Sequence, residues 1–174
     1  MGRSIIVAVL LILAGCSRFK SSDNVLALEG ATVIDGAGGD PKRDALIIIR
    51  NGRIDAVARV NEIPIPRNAE RINLVGKTII PGLVDSHAHV ERWAVGRYLA
   101  WGVTTVRDLH SQTDSALALR NELKRGSILG PRMFVAGAMI DGAPPTYPDA
   151  SGVATADGAR RAVDQRAVAG VDYL

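Results

Sequence analysis

The feature that most constrains the fold is an alternation of strand-like and helix-like segments that begins at Pro81. Apolar and β-branched residues, typical of buried strands, are concentrated at residues 83–85, 103–106 and 133–140. Helical patterns follow these segments at residues 91–101, 113–126 and 155–169, and residues 171–174 begin a fourth strand. Strands that alternate with helices at about 30 residues per unit predict βαβ units and a parallel sheet, hence an α/β fold.

The preceding residues 25–80 predict a separate β domain. Strand-like segments occur at residues 26–28, 32–34, 45–50, 53–60, 71–75 and 78–80. Asn51-Gly52 lies between two apolar runs and predicts a tight hairpin, because both residues tolerate positive φ. We therefore expect a β domain over residues 25–80 and a second domain over residues 81–174.

The balance of charge and the low aromatic content argue against a nucleic-acid-binding surface. The chain has 21 Lys and Arg against 18 Asp and Glu, and aromatic residues make up only 4%. The basic residues are interleaved with acidic ones and form no basic stripe. We therefore expect no nucleic-acid partner.

Residues 1–15 predict a signal peptide. Arg3 gives a positive start, and the apolar run at residues 5–13 is too short to span a bilayer, which needs about 20 residues. The run leads to Ala14-Gly15-Cys16, and Cys16 is the only cysteine of the chain. An ordinary secretory signal with an incidental cysteine is one interpretation of this pattern.

The other interpretation is that residues 13–16 resemble the bacterial lipobox, which implies a lipid attached to Cys16. Residues 16–24 are then a polar tether to the membrane. Ser17 follows the cysteine where inner-membrane lipoproteins tend to have an aspartate, which is compatible with sorting to the outer membrane. This resemblance implies an exported, lipid-anchored protein of the bacterial cell envelope that faces the periplasm.

His87 and His89 are the candidate metal ligands. Side chains alternate along a strand, so these two histidines and Asp85 are predicted to share one face. Two neutral imidazoles can bind one divalent ion such as zinc, although exposed or hydrogen-bonded histidines are the alternative. The pair ends the first strand of the alternating region, and β/α barrels have their active sites at such strand ends, which favours a metal site.

Other polar residues near these strand ends have open interpretations. Asp85 orients a histidine or hydrogen-bonds to nearby backbone. His110, just past the second strand, contacts substrate or is an exposed loop residue, whereas Arg107 and Asp108 are interpreted as structural contacts. The proline-rich loop at residues 141–148 shapes a substrate pocket or is a plain connection.

Residues 81–90 resemble the metal-binding first strand of the amidohydrolase superfamily. Residues 30–36 and 49–54 resemble that family's small N-terminal β domain. Residues 102–108 resemble its second barrel strand, and residues 130–132 the entry to its third. The resemblance runs from about Val25 onward and is greatest for the imidazolonepropionase and prolidase-like branch.

The resemblance implies a (β/α)₈ barrel of the TIM type, with the first three to four βα units in this chain, preceded by a small β-sandwich domain. It also implies one or two divalent metal ions, usually zinc, with His87 and His89 as ligands. A metal-activated water would then hydrolyse a C–N bond in a small amide, cyclic amide or dipeptide-like substrate. The family's other ligands and catalytic aspartate follow a motif like residues 170–174, so we expect the isolated chain to be inactive.

Two further functions stay open at this point. The first keeps the fold but changes the reaction to lactone hydrolysis or isomerisation. The second is a non-catalytic lipoprotein that binds a metal or a partner through the two histidines alone. Two imidazoles would make a weak, open site, because zinc normally takes at least three protein ligands.

Overall fold

The computed structural model describes residues 24–174. The predicted signal peptide at residues 1–15, Cys16 and most of the tether lie outside the described residues. The described chain forms two compact units, one ending at Ile79 and the other spanning Ile80–Leu174. None of the helices within residues 24–174 has both the length and the apolar character needed to cross a membrane.

The first unit is a mixed five-stranded β sheet built around β1 (Val25–Val33). β2 (Lys42–Arg50) pairs antiparallel with β1 and with β3 (Arg53–Arg59). β4 (Glu70–Asn73) and β5 (Thr78–Ile79) pair parallel with β1. A sandwich requires a second sheet, and residues 24–79 form only this one, so the β-sandwich stays a prediction.

The hairpin between β2 and β3 forms at the predicted Asn51-Gly52 turn. Both residues have positive φ, 51° and 75°, and Arg50 pairs directly with Arg53. Apolar clusters pack on both faces of β2, with Leu46 and Ile48 in one cluster and Ile47 in the other. This two-sided burial explains why β2 has a continuous apolar run in place of alternating polar residues.

The second unit is of the α/β class and contains a parallel three-stranded sheet. Its strands lie in the order β6 (Leu83–Ala88), β7 (Val103–Asp108) and β8 (Arg132–Val135). A short 3₁₀ turn and α1 (Val95–Ala100) connect β6 to β7, and α2 (Thr113–Arg125) connects β7 to β8. The predicted βαβ arrangement is therefore present.

One face of this sheet packs against α2. Val106 and Val135 are 0% exposed and belong to one apolar cluster with Ala116 and Leu119 of the helix. Gln112 begins α2, because its side chain accepts a hydrogen bond from the Ser115 backbone N–H at 2.9 Å. The Thr113 hydroxyl accepts a hydrogen bond from the backbone N–H of Ala138 at 3.0 Å.

The region after β8 differs from the sequence-based expectation. The predicted strand at residues 133–140 ends at Val135, and the chain turns at Gly137, which has a φ of 78°. A short β9 (Ile140–Gly142) then pairs parallel with β10 (Ser151–Val153). This pair joins the two ends of the proline-rich loop, which hydrophobic periodicity could not reveal because each strand has only three residues.

The last helix, α3 (Ala156–Ala169), begins after Thr155 and ends at Gly170, in agreement with the helix predicted at residues 155–169. The Thr155 side chain accepts a hydrogen bond from the Gly158 backbone N–H at 3.1 Å. Residues 171–174 are not a strand in the structure, contrary to the prediction. Asp172 nevertheless lies beside β8, since its backbone N–H donates to the Val135 carbonyl at 2.8 Å.

Gly82 provides a test of the packing between β6 and β7. A Cβ atom at this position would overlap the side chain of Thr104. Gly82→Ala should therefore lower the free energy of unfolding by about 1–3 kcal/mol, because a strand must shift to relieve the overlap. Urea unfolding followed by circular dichroism measures this change.

Gly96→Ala is the matched control, because a Cβ there meets nothing within 4 Å and alanine favours the α1 helix. Its stability should equal or exceed that of the parent chain. Equal stability of the two variants would contradict the packing argument.

Candidate metal centre

The end of β6 directs His87 and His89 to the same side. Ala88 and Val90, which alternate with them, are buried at 5% and 7% exposure, whereas both histidines are exposed. Their ring centroids are 5.6 Å apart and the rings are inclined at 78°. Two imidazoles with this separation can approach one zinc ion at the usual Zn–N distance of about 2.0–2.1 Å.

A hydrogen bond selects the tautomer of His89. Its Nδ1 lies 3.1 Å from the backbone carbonyl oxygen of His110. Because a carbonyl only accepts, Nδ1 carries the proton and donates it. Nε2 is then left with the lone pair that a metal ion requires.

Asp85 does not share the face of the two histidines, which corrects the sequence-based expectation. In the β6–β7 register, Asp85 pairs with Val106 and Ala88 pairs with Asp108, so three residues of β6 span two of β7. This bulge reverses the alternation, and Asp85 lies on the side of Val106 and the helices. Its Oδ1 accepts a hydrogen bond from the backbone N–H of His87 at 3.2 Å. Asp85 therefore positions the backbone at His87 and does not orient an imidazole ring.

The charge of Asp85 affects the pKa of Tyr98, a residue of α1 on that side of the sheet. The pKa of Tyr98 is raised mainly by burial, with smaller contributions from the negative charges of Asp85 and Asp108. This electrostatic effect agrees with the position that the strand register gives to Asp85.

Asp108, at the end of β7, is a fully buried carboxylate with 0% exposure. Its Oδ1 accepts two hydrogen bonds of 2.8 Å, one from the Val90 backbone N–H and one from the Ser111 hydroxyl. Val90 follows His89, and Ser111 follows His110. This one oxygen therefore joins the segment that carries His89 to the segment that carries His110. Within residues 24–174, Oδ2 has no hydrogen-bond partner.

His110 is held by both ring nitrogens, and its side chain is only 13% exposed. Nδ1 accepts a hydrogen bond from the Met139 backbone N–H at 3.0 Å, and Nε2 lies 3.3 Å from Oδ1 of Asp149. The ring is therefore neutral in this arrangement, with its proton on Nε2. The interpretation of His110 as an exposed loop residue is wrong, and its ring has no free nitrogen for a metal ion.

The histidines open onto a cavity of ≈ 530 Å³. Its wall consists of the three histidines and the neutral side chains of Leu109, Met139 and Tyr147. The Tyr147 ring centroid is 5.2 Å from that of His110, with the planes inclined at 35°. The proline-rich loop thus contributes to the cavity, but Leu109 and Met139 gave no signal in the sequence beyond ordinary apolar character.

A larger cavity of ≈ 770 Å³ lies along β8 and contains no histidine. Arg120 and Asp172, which are joined by an ion pair of 2.9 Å, are among the residues that line it. Because it has no candidate metal ligand pair, the smaller cavity is the candidate functional site.

The donor set of the smaller cavity fits one side of a metal site. His87 and His89 are nitrogen donors of the kind that zinc prefers, and the tautomer of His89 leaves its Nε2 available. Within residues 24–174, no group of three or more His, Cys, Asp or Glu side chains is arranged to hold an ion. The described residues thus offer two of the three or more protein ligands that zinc takes.

Several curated proteins are similar in sequence to part of this chain. An N-acyl-D-glutamate deacylase from Alcaligenes xylosoxydans xylosoxydans is 36% identical over 86 residues, which cover 47% of this chain and 17% of that protein. An imidazolonepropionase from Idiomarina loihiensis is 36% identical over 70 residues, 40% of this chain and 17% of that protein. A dihydroorotase from Anaeromyxobacter dehalogenans is 38% identical over 68 residues, 38% of this chain and 15% of that protein.

Solved structures match a larger part of the chain. A protein described as a prolidase from Bifidobacterium longum has a TM-score of 0.73 and 31% identity, over 86% of this chain and 39% of that one. A molinate hydrolase has a TM-score of 0.61 and 29% identity, over 80% of this chain and 37% of that one. A Xaa-Pro dipeptidase, at 24% identity and a TM-score of 0.72, shares the fold over 86% of this chain and 46% of that one.

These comparisons agree on the family, although each extends over a limited part of the relatives. No family model matches the chain. The chain spans about two fifths of the similar structures and less than a fifth of the curated relatives. Over the matched parts, the chain is similar in sequence and fold to members of the amidohydrolase superfamily, as the resemblance of residues 81–90 predicts.

Proposed function

We propose that this chain contributes part of the active site of a metal-dependent hydrolase that cleaves C–N bonds in small amide, cyclic amide or dipeptide-like substrates. The observation that carries the proposal is the pair of histidines at the end of β6, with the tautomer of His89 fixed for metal binding. The names of the similar proteins support the reaction type, because N-acyl amino-acid deacylases and a dipeptidase act on N-acyl or peptide bonds.

The proposed cofactor is a divalent metal, zinc in the simplest case, as one or two ions. A bound metal of this kind lowers the pKa of a water molecule and polarises a carbonyl group. His87 and His89 would hold it. The carbonyl of His110 keeps the proton on Nδ1 of His89, and the cavity beside the two rings admits the substrate.

The further ligands are proposed to come from parts of the native protein other than residues 24–174. The described chain offers two imidazoles to a metal, and a catalytic zinc site normally has three protein ligands and one open position. We therefore propose that the 174-residue chain by itself does not hydrolyse amides.

Substitution of the histidines tests the proposed metal site in the native protein. His87→Gln and His89→Gln should each reduce zinc affinity and amide hydrolysis by roughly 100-fold or more, because loss of a ligand exceeds the 10–100-fold effect of its supporting contacts. Zinc titration against a chelator, with rates on N-acyl amino acids and Xaa-Pro dipeptides, measures both effects.

Asp157→Asn is the control for this comparison, because Asp157 is an exposed residue of α3 in a surface ion pair with Arg160. It should keep both zinc affinity and rate. Full activity after chelation, or in either histidine variant, would show that the proposed metal chemistry is wrong. Turnover of lactones with none of amides would favour the alternative reaction on the same fold.

Asp108 gives a second test, because it supports the metal ligands without contacting the metal position. Asp108→Ala leaves the Val90 N–H and the Ser111 hydroxyl without their acceptor. We expect zinc affinity to fall about 10–100-fold, and the free energy of unfolding to fall by about 1–3 kcal/mol for each unpaired group.

Ser111→Ala is the graded comparison for Asp108→Ala, because it removes one of the two hydrogen bonds and keeps the carboxylate. Its zinc affinity should lie between those of the parent and Asp108→Ala. Parent-like zinc affinity in a folded Asp108→Ala protein would contradict the supporting role.

We also propose that the native protein is exported and anchored by a lipid on Cys16 to the bacterial envelope, at the outer membrane and facing the periplasm. The support comes from the sequence alone. An apolar run ends in small residues directly before the only cysteine, and a polar segment follows it. A multi-chain lipid anchor holds a protein stably at a membrane.

Cys16→Ser should abolish incorporation of labelled fatty acid and move the protein from the membrane fraction to the soluble fraction. The sulfur is the attachment atom, so a hydroxyl of similar size does not replace it. Ser17→Ala, one residue away, should keep both label and membrane fraction. Fatty-acid labelling of the Cys16→Ser protein would exclude this anchor.

A further inference from the structure

We infer that the cavity wall of Leu109, His110, Met139 and Tyr147 binds an uncharged, flat group of the substrate, with Tyr147 as a specificity-determining residue. This wall is called the apolar wall below. The inference rests on the proposed function, and it names the substrate class of that same site. The two metal-ligand candidates line the same cavity, so the bound group would lie next to the bond that is cleaved.

The apolar wall offers no charge to a ligand. None of the described residues that line the cavity is a lysine, arginine, aspartate or glutamate. The nitrogens of His110 are both engaged within the protein, by the Met139 N–H and by Asp149. A carboxylate placed against this wall, away from the proposed metal position, would lose water without gaining a cationic side chain, and such desolvation is costly.

Tyr147 gives the wall its preference for a flat group. Its ring lies beside that of His110 at 5.2 Å and remains 49% exposed, so about half of its surface is open to a ligand. Aromatic pairs with centroids about 4.5–7 Å apart gain binding energy beyond the area that they bury. A planar ring placed against Tyr147 would extend this arrangement.

The loop that carries Tyr147 is fixed before any ligand binds. The β9–β10 pair closes its two ends. The Asp141 carboxylate accepts backbone hydrogen bonds of 2.7 Å from Gly142 and Thr146, which lower the pKa of Asp141, with Thr146 contributing most. The Ala150 N–H donates to the Tyr147 carbonyl at 3.1 Å. A ligand therefore orders little of the loop, which favours affinity.

The wall is not suited to the acidic substrates for which two relatives are named. The similar deacylases from Alcaligenes are named for N-acyl-D-glutamate and N-acyl-D-aspartate, both of which have an acidic side chain. The apolar wall has no cation to pair with such a group. The inferred substrate is therefore an amide with a neutral aromatic or ring-shaped group beside the scissile bond.

The experiment measures binding of matched amides to the native, zinc-loaded protein by calorimetry. The probes are N-benzylacetamide, its para-carboxylate, which adds only a charged group, and N-isobutylacetamide, which lacks a ring. We expect N-benzylacetamide to bind at least tenfold more tightly than the carboxylate and several-fold more tightly than the isobutyl compound. Hydrolysis of the same three compounds is followed in parallel.

Variants at Tyr147 assign the preference to this side chain. Tyr147→Leu should weaken binding of N-benzylacetamide about 3–10-fold and leave the isobutyl compound little affected, because an apolar volume remains but the ring is lost. Tyr147→Phe retains the ring and should restore the preference. Trp101→Leu, which removes an aromatic ring that is 82% exposed and outside the cavity, should match the parent protein.

The outcomes separate this inference from the proposed function. Equal or tighter binding of the carboxylate, no binding of any probe, or no effect of Tyr147→Leu would each overturn the inference. Hydrolysis of amides without the expected preference would leave the proposed function standing and overturn the inference alone. The expected binding order without hydrolysis of any amide would support the apolar wall and contradict the proposed hydrolase.

Discussion

The candidate site depends on the hydrogen bonds that the buried Asp108 carboxylate accepts. A single oxygen accepts from the backbone after His89 and from the hydroxyl after His110, so the ends of β6 and β7 are positioned together. His110 then acts twice. Its carbonyl fixes the proton of His89, and its ring forms part of the apolar wall. The two candidate metal ligands and the apolar wall of the cavity are thereby linked through one short loop.

Much of the fold could be predicted from the sequence because strong local signals agree with the tertiary structure. The Asn51-Gly52 turn and the glycines that end α2 and α3 have positive φ values that few other residues accept, so their positions were predictable. The β9–β10 pair and the irregular structure of residues 171–174 could not be predicted in this way. Strands of three residues are stabilised by their partners and leave no periodic pattern in the sequence.

The site was predictable in its chemistry and less so in its geometry. Alternation placed His87 and His89 on one side, because Ala88 and Val90, which alternate with them, are buried on the other. The same rule failed for Asp85, because the β6–β7 register changes between Asp85 and Ala88. The roles of Tyr147 and of the His110 carbonyl depend on contacts between distant segments, which spacing along the chain does not encode.

The short β9–β10 pair closes the loop of Tyr147 independently of strands β6, β7 and β8, and this has an evolutionary consequence. The loop begins and ends at adjacent points, so residues can be inserted or exchanged between Gly142 and Ser151 without altering the register of β6, β7 and β8. The lining that Tyr147 gives to the cavity can therefore change by exchange of one compact loop, while the strand that carries the two histidines stays unaltered.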